Sequence, residues 1–250
     1  MRLAGAILLV SLAGCASAPP GEIADPYEPI NRQVHAFNKS LDANLLRPVA
    51  RMARRGDGAK APAEPWTKPY PQGPGAIGIV GNFGSNLSLP GKVVNSLLQG
   101  RPQPAWQNTA RFLVNSTLGL AGVFDPAGEE FALTEVDTDF GETLHVWGVP
   151  SGAYLELPVL GPSTERDLAG KIVDFVLIDP LDNVLTDEQK LAGTAARVVS
   201  KAGERAQFGS TVDSVLHDSA DSYAQTRLLY TQHRRYELKQ EEDVIDPYAD

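Results

Sequence analysis

Arg111-Phe112-Leu113-Val114-Asn115-Ser116-Thr117-Leu118-Gly119-Leu120-Ala121-Gly122-Val123-Phe124-Asp125 is the stretch on which the architecture turns. Phe112 to Phe124 is nearly uncharged, yet it is too short to span a bilayer, which takes about 20 apolar residues in a row. It is either a buried core helix or a segment lying within one leaflet. A helix is expected to lead into it from about Pro102, with Ala105, Trp106, Phe112, Leu113 and Leu120 as its apolar positions.

Upstream, Ser88 is placed to cap a short helix, with Pro90 in its first turn and Gly100 just past its end. Val93, Val94, Leu97 and Leu98 form its apolar face. Further upstream, Asp25-Pro26 reads as a helix start, Asp as N-cap and Pro at the first helical position. From there Ile30, Val34, Phe37, Leu41 and Leu45 recur at steps of three and four, one apolar stripe on an amphipathic helix. That stripe faces either a core or a membrane interface. Residues 54–78 are rich in Gly and Pro and read either as an irregular loop resting on a surface or as a disordered linker.

At the start of the chain, Arg2 and the apolar run Leu3 to Leu12 precede Leu12-Ala13-Gly14-Cys15. A basic n-region, an apolar h-region of about ten residues and small residues before the cut make a secretory signal peptide. The cysteine directly after them resembles a bacterial lipobox, so residues 1–14 are the expected leader and Cys15 the lipidated N-terminus. The alternative is an ordinary signal peptide cut near Ala16-Ser17-Ala18. Residues 15–24 then form a tether. Several acyl chains hold a protein stably in a membrane, since each buried methylene adds about 0.8 kcal/mol. Ala16, rather than Asp, directs the sorting expectation to the outer membrane.

The chain has 22 Lys+Arg against 31 Asp+Glu, and it loses Arg2 with the leader. An acidic exported protein is a poor nucleic-acid binder, because phosphate contact needs a basic surface. One cysteine excludes a disulfide framework and a cysteine metal site. The 23 Gly and 19 Pro predict many short elements joined by bent connections.

Downstream of the central stretch, Asp125-Pro126 starts a short helix. Asp139 caps another that ends at Gly148. Gly148 to Gly152 is a turn, and Tyr154-Leu155-Glu156-Leu157 alternates as a short strand stopped by Pro158. Ser163 is placed to cap a helix running to about Ile178 and ended by Asp179-Pro180. Thr186 with Gln189 makes a capping box for a further helix carrying Leu191, Ala195, Val198, Val199 and Ala202 on one side. A last helix begins at about Asp221, and Glu241 to Asp250 is an acidic, disordered tail. The architecture expected is mainly α.

No catalytic signature emerges. Asp139-Phe140-Gly141 mimics a kinase triplet without the phosphate loop or lysine that must accompany it, and capping explains it locally. Gly-x-Ser-x-Gly and His-Glu-x-x-His are absent. His217-Asp218 with Asp213 and Asp221 has metal-ligating residue types, weighed against a solvated acidic turn before a helix. No metal, cofactor or catalytic residue is therefore expected.

Together these segments resemble one family. Asp25-Pro26-Tyr27-Glu28-Pro29-Ile30-Asn31-Arg32, Asn82-Phe83, Leu98-Gln99-Gly100 and Arg111 through Gly119 are similar to the MlaA (VacJ) outer-membrane lipoproteins. So are Asp139 through Leu144, Trp147-Gly148-Val149, Gly152 through Pro158, and Asp221-Ser222-Tyr223 with Arg227 and Tyr230. The likeness covers residues 25–236, with 237–250 left as the tail. It departs at 54–75, at Leu89-Pro90 and at Pro150-Ser151.

The resemblance implies a ring of amphipathic helices in the inner leaflet of the outer membrane, with a channel through it. It implies removal of misplaced phospholipid from the outer leaflet, transfer to a soluble periplasmic carrier, and association with a trimeric porin. Residues 148–158, with Gly148, Pro150, Gly152, Tyr154 and Pro158, are the expected pore-edge hairpin. Non-helical backbone at membrane depth must be buried in protein or line a cavity. Arg166 is expected either to contact a lipid phosphate or to pair with Asp167 or Glu142. Ile30, Val34, Phe37, Leu41 and Leu45 are the expected membrane-facing residues.

Overall fold

The computed structural model describes residues 24–48, 76–175 and 209–239. The leader, Cys15, most of the tether, the Gly/Pro-rich segment, the Asp179-Pro180 stop, the Thr186 capping box and the residues after 239 lie outside the described residues. What is described is mainly helical, with one small hairpin, as expected.

Helix α1 spans Glu28–Leu41 and runs into a π-helical turn, Asp42–Leu46. Its N-cap is Tyr27, with Pro29 in the first turn, not Asp25. Tertiary partners claim the Asp25 carboxylate: it accepts from Asn31 Nδ2 at 2.8 Å and from Tyr223 and Arg227 on the last helix.

Helix α2 runs from Ala76 to Leu98, straight through Pro90. The short helix capped by Ser88 is therefore corrected. Ser88 Oγ donates to the Ser85 carbonyl at 2.7 Å instead of accepting from its own next turn. Proline removes one helical amide, and the packing of α2 along α3 holds the helix together across it. The end at Gly100 stands: Gly100 N donates to Leu97 O and Arg101 N to Ser96 O, which closes the last turn.

Helix α3 spans Pro102–Thr117 and α4 Pro126–Glu129. Between them Leu120, Ala121 and Gly122 all take left-handed backbone conformations. Asn115 O, accepting from Gly122 N at 2.8 Å, ties this loop back onto α3. Asp125 caps α4 as expected, accepting from Gly128 N at 3.1 Å.

Helix α5 spans Phe140–Val146, capped by Asp139 Oδ1 on Glu142 N at 2.7 Å. Gly148 follows at φ +84°, its amide on His145 O. Strand β1, Tyr154–Leu157, pairs antiparallel with β2, Gly161–Thr164, placing Tyr154 opposite Thr164 and Leu157 opposite Gly161. The hairpin is thus shifted toward the C-terminus of the 148–158 segment expected. Gly161-Pro162-Ser163-Thr164 shows no apolar alternation and carries a proline, so its sequence gave no strand signal.

Helix α6 spans Glu165–Val173; Thr164, one residue after the expected Ser163, caps it by accepting from Asp167 N at 3.2 Å. Helix α7, Gly209–Leu216, was not anticipated. Helix α8 spans Ser222–Lys239, past the boundary expected at 236, and Asp221 Oδ1 accepts from Ala224 N at 3.0 Å at its start. Among the described residues no helix is long and apolar enough to cross a membrane.

Candidate functional site: a polar interior inside an apolar surface

The helices are amphipathic in the inverted sense. Helix α1 buries Asn31 and His35, and its π-helical turn buries Asp42. The α1 residues Ile30 and Phe37, and Leu45 in the turn, are exposed. Helix α3 buries Asn108, Arg111 and Asn115 and exposes Trp106 (70 %) and Leu113. The loop after it exposes Leu118, Leu120 and Phe124. Of the two readings of Phe112 to Phe124, the buried core helix is therefore excluded. Among the described residues the buried apolar ones are few, and half of them are alanine: Leu89, Ala105, Ala127, Ala153, Tyr154 and Tyr223. A water-soluble domain arranges these faces the other way round.

The interior is polar, and hydrogen bonds and ion pairs link its groups into networks. Two asparagines a double turn apart on α1 grip the edge of β1 as a third strand would. Asn31 Nδ2 donates to Tyr154 O at 3.1 Å while its Oδ1 accepts from Glu156 N at 2.9 Å. Asn38 Nδ2 donates to Leu157 O at 2.9 Å and its Oδ1 accepts from Val159 N at 2.8 Å. The Ala24 carbonyl completes the edge by accepting from Tyr154 N at 2.8 Å. Behind the strand, Tyr154 OH donates to Glu156 Oε2 at 2.6 Å, and His35 Nε2 meets Ser222 Oγ at 3.0 Å. Burial, followed by the bond to Glu156, pushes the Tyr154 phenol well above its usual value.

A second network ties α5, α6 and α8 together. Arg166 Nη2 and Nε donate to Asp167 Oδ1 at 2.9 and 3.1 Å. Tyr230 OH donates to Asp167 Oδ2 at 2.5 Å, and Arg234 Nη2 donates to Asp139 Oδ1 at 2.7 Å. Burial works to raise the Asp167 pKa, but Arg234, Arg166 and the Tyr230 hydroxyl outweigh it and hold the carboxyl below its usual range. A third network joins α3 to the cap of α4: Arg111 Nη2 and Asn115 Nδ2 both donate to Asp125, at 2.6 and 2.8 Å.

The structure places the expected site residues unevenly. Gly148, Pro150 and Pro158 are exposed and Gly152 half-buried around the hairpin. Tyr154 is 1 % exposed and faces inward, not onto an edge. Arg166 is 4 % exposed and engaged with Asp167, the structural pairing of its two expected roles. In the stripe, Ile30, Phe37 and Leu45 are exposed, and Val34 and Leu41 are half-buried where α1 turns toward its neighbours. The hairpin loop carries Val159, 69 % exposed at φ +68°, a costly conformation for a β-branched residue. Asn31 and Asp25 were legible as motif letters, but not as clamps.

Among the described residues, then, the protein is mainly helical, with large apolar side chains outside, networked polar groups inside and no helix long and apolar enough to cross a membrane. The profile of the MlaA lipoprotein family matches residues 23–56 and 58–237. The intermembrane phospholipid transport system lipoprotein MlaA of Escherichia coli (strain K12) is 32% identical over 243 residues, covering 93% of this chain and 88% of that protein. An uncharacterized protein of Rickettsia felis is 34% identical over 206 residues, covering 82% of this chain and 74% of its own. A solved structure described as the structural basis for maintenance of bacterial outer membrane lipid asymmetry superposes with a TM-score of 0.65 at 30% identity. The match covers 86% of this chain and 99% of that one. The chain belongs to the MlaA lipoprotein family.

Proposed function

We propose that this protein is an outer-membrane lipoprotein, anchored through acylated Cys15, that removes misplaced phospholipid from the outer leaflet and passes it to a soluble periplasmic carrier. The observation that carries this reading is the inverted distribution of polarity. A phospholipid couples a charged head to apolar tails, so its conduit needs polar groups within apolar walls. A protein seated in one leaflet needs its apolar residues outside and its backbone and charges satisfied within. Ile30, Phe37, Leu45, Trp106, Leu113, Leu118 and Leu120 supply the outer surface here. The names borne by the relatives and by the matched structure point the same way.

In this reading the helices form a ring. Gly148, Pro150 and Pro158 lie at its mobile mouth, with Tyr154 and Arg166 bracing the hairpin from behind. A trimeric porin is the proposed neighbour in the membrane. Transport consumes no covalent chemistry, so no cofactor is assigned; the direction of net flow follows the gradient to which the carrier is coupled.

The test is surface-exposed phospholipid in cells lacking the protein, complemented by wild type or by a form deleted for residues 148–158. Phospholipid should rise in the outer leaflet of the null strain and be cleared by wild type alone. An unchanged outer leaflet in the null strain would instead mark the protein as a scaffold that docks porin or carrier without conducting lipid.

A further inference from the structure

We propose that Asp42, Asp213 and His217 form a binding site for a divalent transition-metal ion, zinc being the ion best matched to the ligands. One donor atom from each side chain lies within 4.8 Å of the other two. Asp213 and His217 stand one helical turn apart at the end of α7, where His217 N donates to Asp213 O at 2.9 Å. That spacing puts both side chains on one face, the usual arrangement for a two-ligand helical chelate. Asp42 arrives from the opposite end of the chain, in the π-helical turn that follows α1, and is 4 % exposed. His217 Nε2 meets Asp42 Oδ2 at 2.8 Å.

The surroundings resemble a metal site in one further respect. Arg47 donates from Nε and Nη2 to Asp213 Oδ2 at 3.2 and 3.0 Å, orienting that carboxylate from behind and offsetting part of its charge. Ligating carboxylates are characteristically held by such outer partners. An imidazole nitrogen with two carboxylate oxygens is a zinc-type donor set, leaving a fourth position for water. Calcium takes six to eight oxygens and is poorly served by this group. Sequence spacing alone grouped His217 with Asp213, Asp218 and Asp221. The structure commits Asp221 to Arg32 at 2.9 Å and brings in Asp42. A bound ion takes the place of the His217 Nε2–Asp42 Oδ2 hydrogen bond, the neutral imidazole then carrying its proton on Nδ1. It staples the end of α1 to α7, two elements far apart in sequence.

The experiment uses full-length, tag-free lipoprotein in detergent micelles, stripped with a chelator and titrated with zinc chloride by calorimetry, with bound metal counted by elemental analysis. One zinc per chain and a raised thermal midpoint are expected. His217→Ala should abolish both, and Asp42→Asn, which keeps a hydrogen-bond acceptor for His217, should weaken binding at least tenfold while leaving the metal-free helix content unchanged. His233→Ala, at an exposed position on α8, should bind as wild type. If wild type binds no zinc, or if Asp42→Asn and His217→Ala bind it as well as wild type does, the proposal is overturned and the cluster is an ordinary polar lock.

Discussion

Asp167 is a buried carboxylate on which two arginines and a tyrosine converge. It receives Arg166, Tyr230 and Arg234 from two helices, and it is 3 % exposed. Breaking such a buried group on one side leaves an uncompensated charge. Arg166→Met should cost about 3 kcal/mol, read by denaturant unfolding in detergent. The pH dependence has a definite sign. The folded-state pKa of Asp167 is depressed, so its contribution is complete above the unfolded carboxylate value, about 4, and is lost as pH falls below that. Wild type should therefore lose stability below about pH 4 more steeply than Asp167→Asn. Equal slopes for the two proteins would show that the carboxylate is not held in its charged form by its partners.

At the scale of elements, α5 and α6 cross through two glycines. A β-carbon on Gly170 would lie 2.6 Å from Gly141 Cα, and closer still to the Gly141 amide. Gly170→Ala should therefore destabilise by about 1–3 kcal/mol through forced separation of the helices. The hairpin offers a complementary prediction. Asn38→Ala removes the partners of the Leu157 carbonyl and the Val159 amide, each bond contributing about 1 kcal/mol. Hydrogen exchange at Val159 should accelerate by about tenfold while the amides of α3 keep their protection. Uniform loss of protection across both would place Asn38 in the global fold and not in a local clamp.

These elements also show what the sequence reveals and what it withholds. Asp125 and Asp139 were legible as caps because the amides they serve lie three residues away. Asp25 and Ser88 have the same chemistry but different partners: distant tyrosine and arginine groups for one, the preceding turn for the other. Asn31 and Asn38 grip backbone more than a hundred residues on, which no local pattern encodes. The apolar stripe of α1 was visible from its periodicity. Periodicity locates a face, however, and leaves open whether protein or lipid covers it.

At the scale of the molecule, the account rests on polarity turned inside out, a property of the assembled helices. The chain's mean hydropathy, -0.18, is ordinary for a water-soluble protein. What is unusual is the placement, with Arg111, Asn108, Glu142 and Arg166 buried while Trp106, Leu118 and Leu120 face outward. Because Cys15 is the one native cysteine, each introduced thiol reports from a single place. The decisive measurement is the bilayer depth of labels at residues 37, 113 and 120, read by lipid-borne quenchers in reconstituted membranes, with residues 221 and 233 as polar references. The account predicts that the first three sit below the headgroups within one leaflet while the references stay in water. Labels at 37, 113 and 120 as water-accessible as those at 221 and 233 would contradict it.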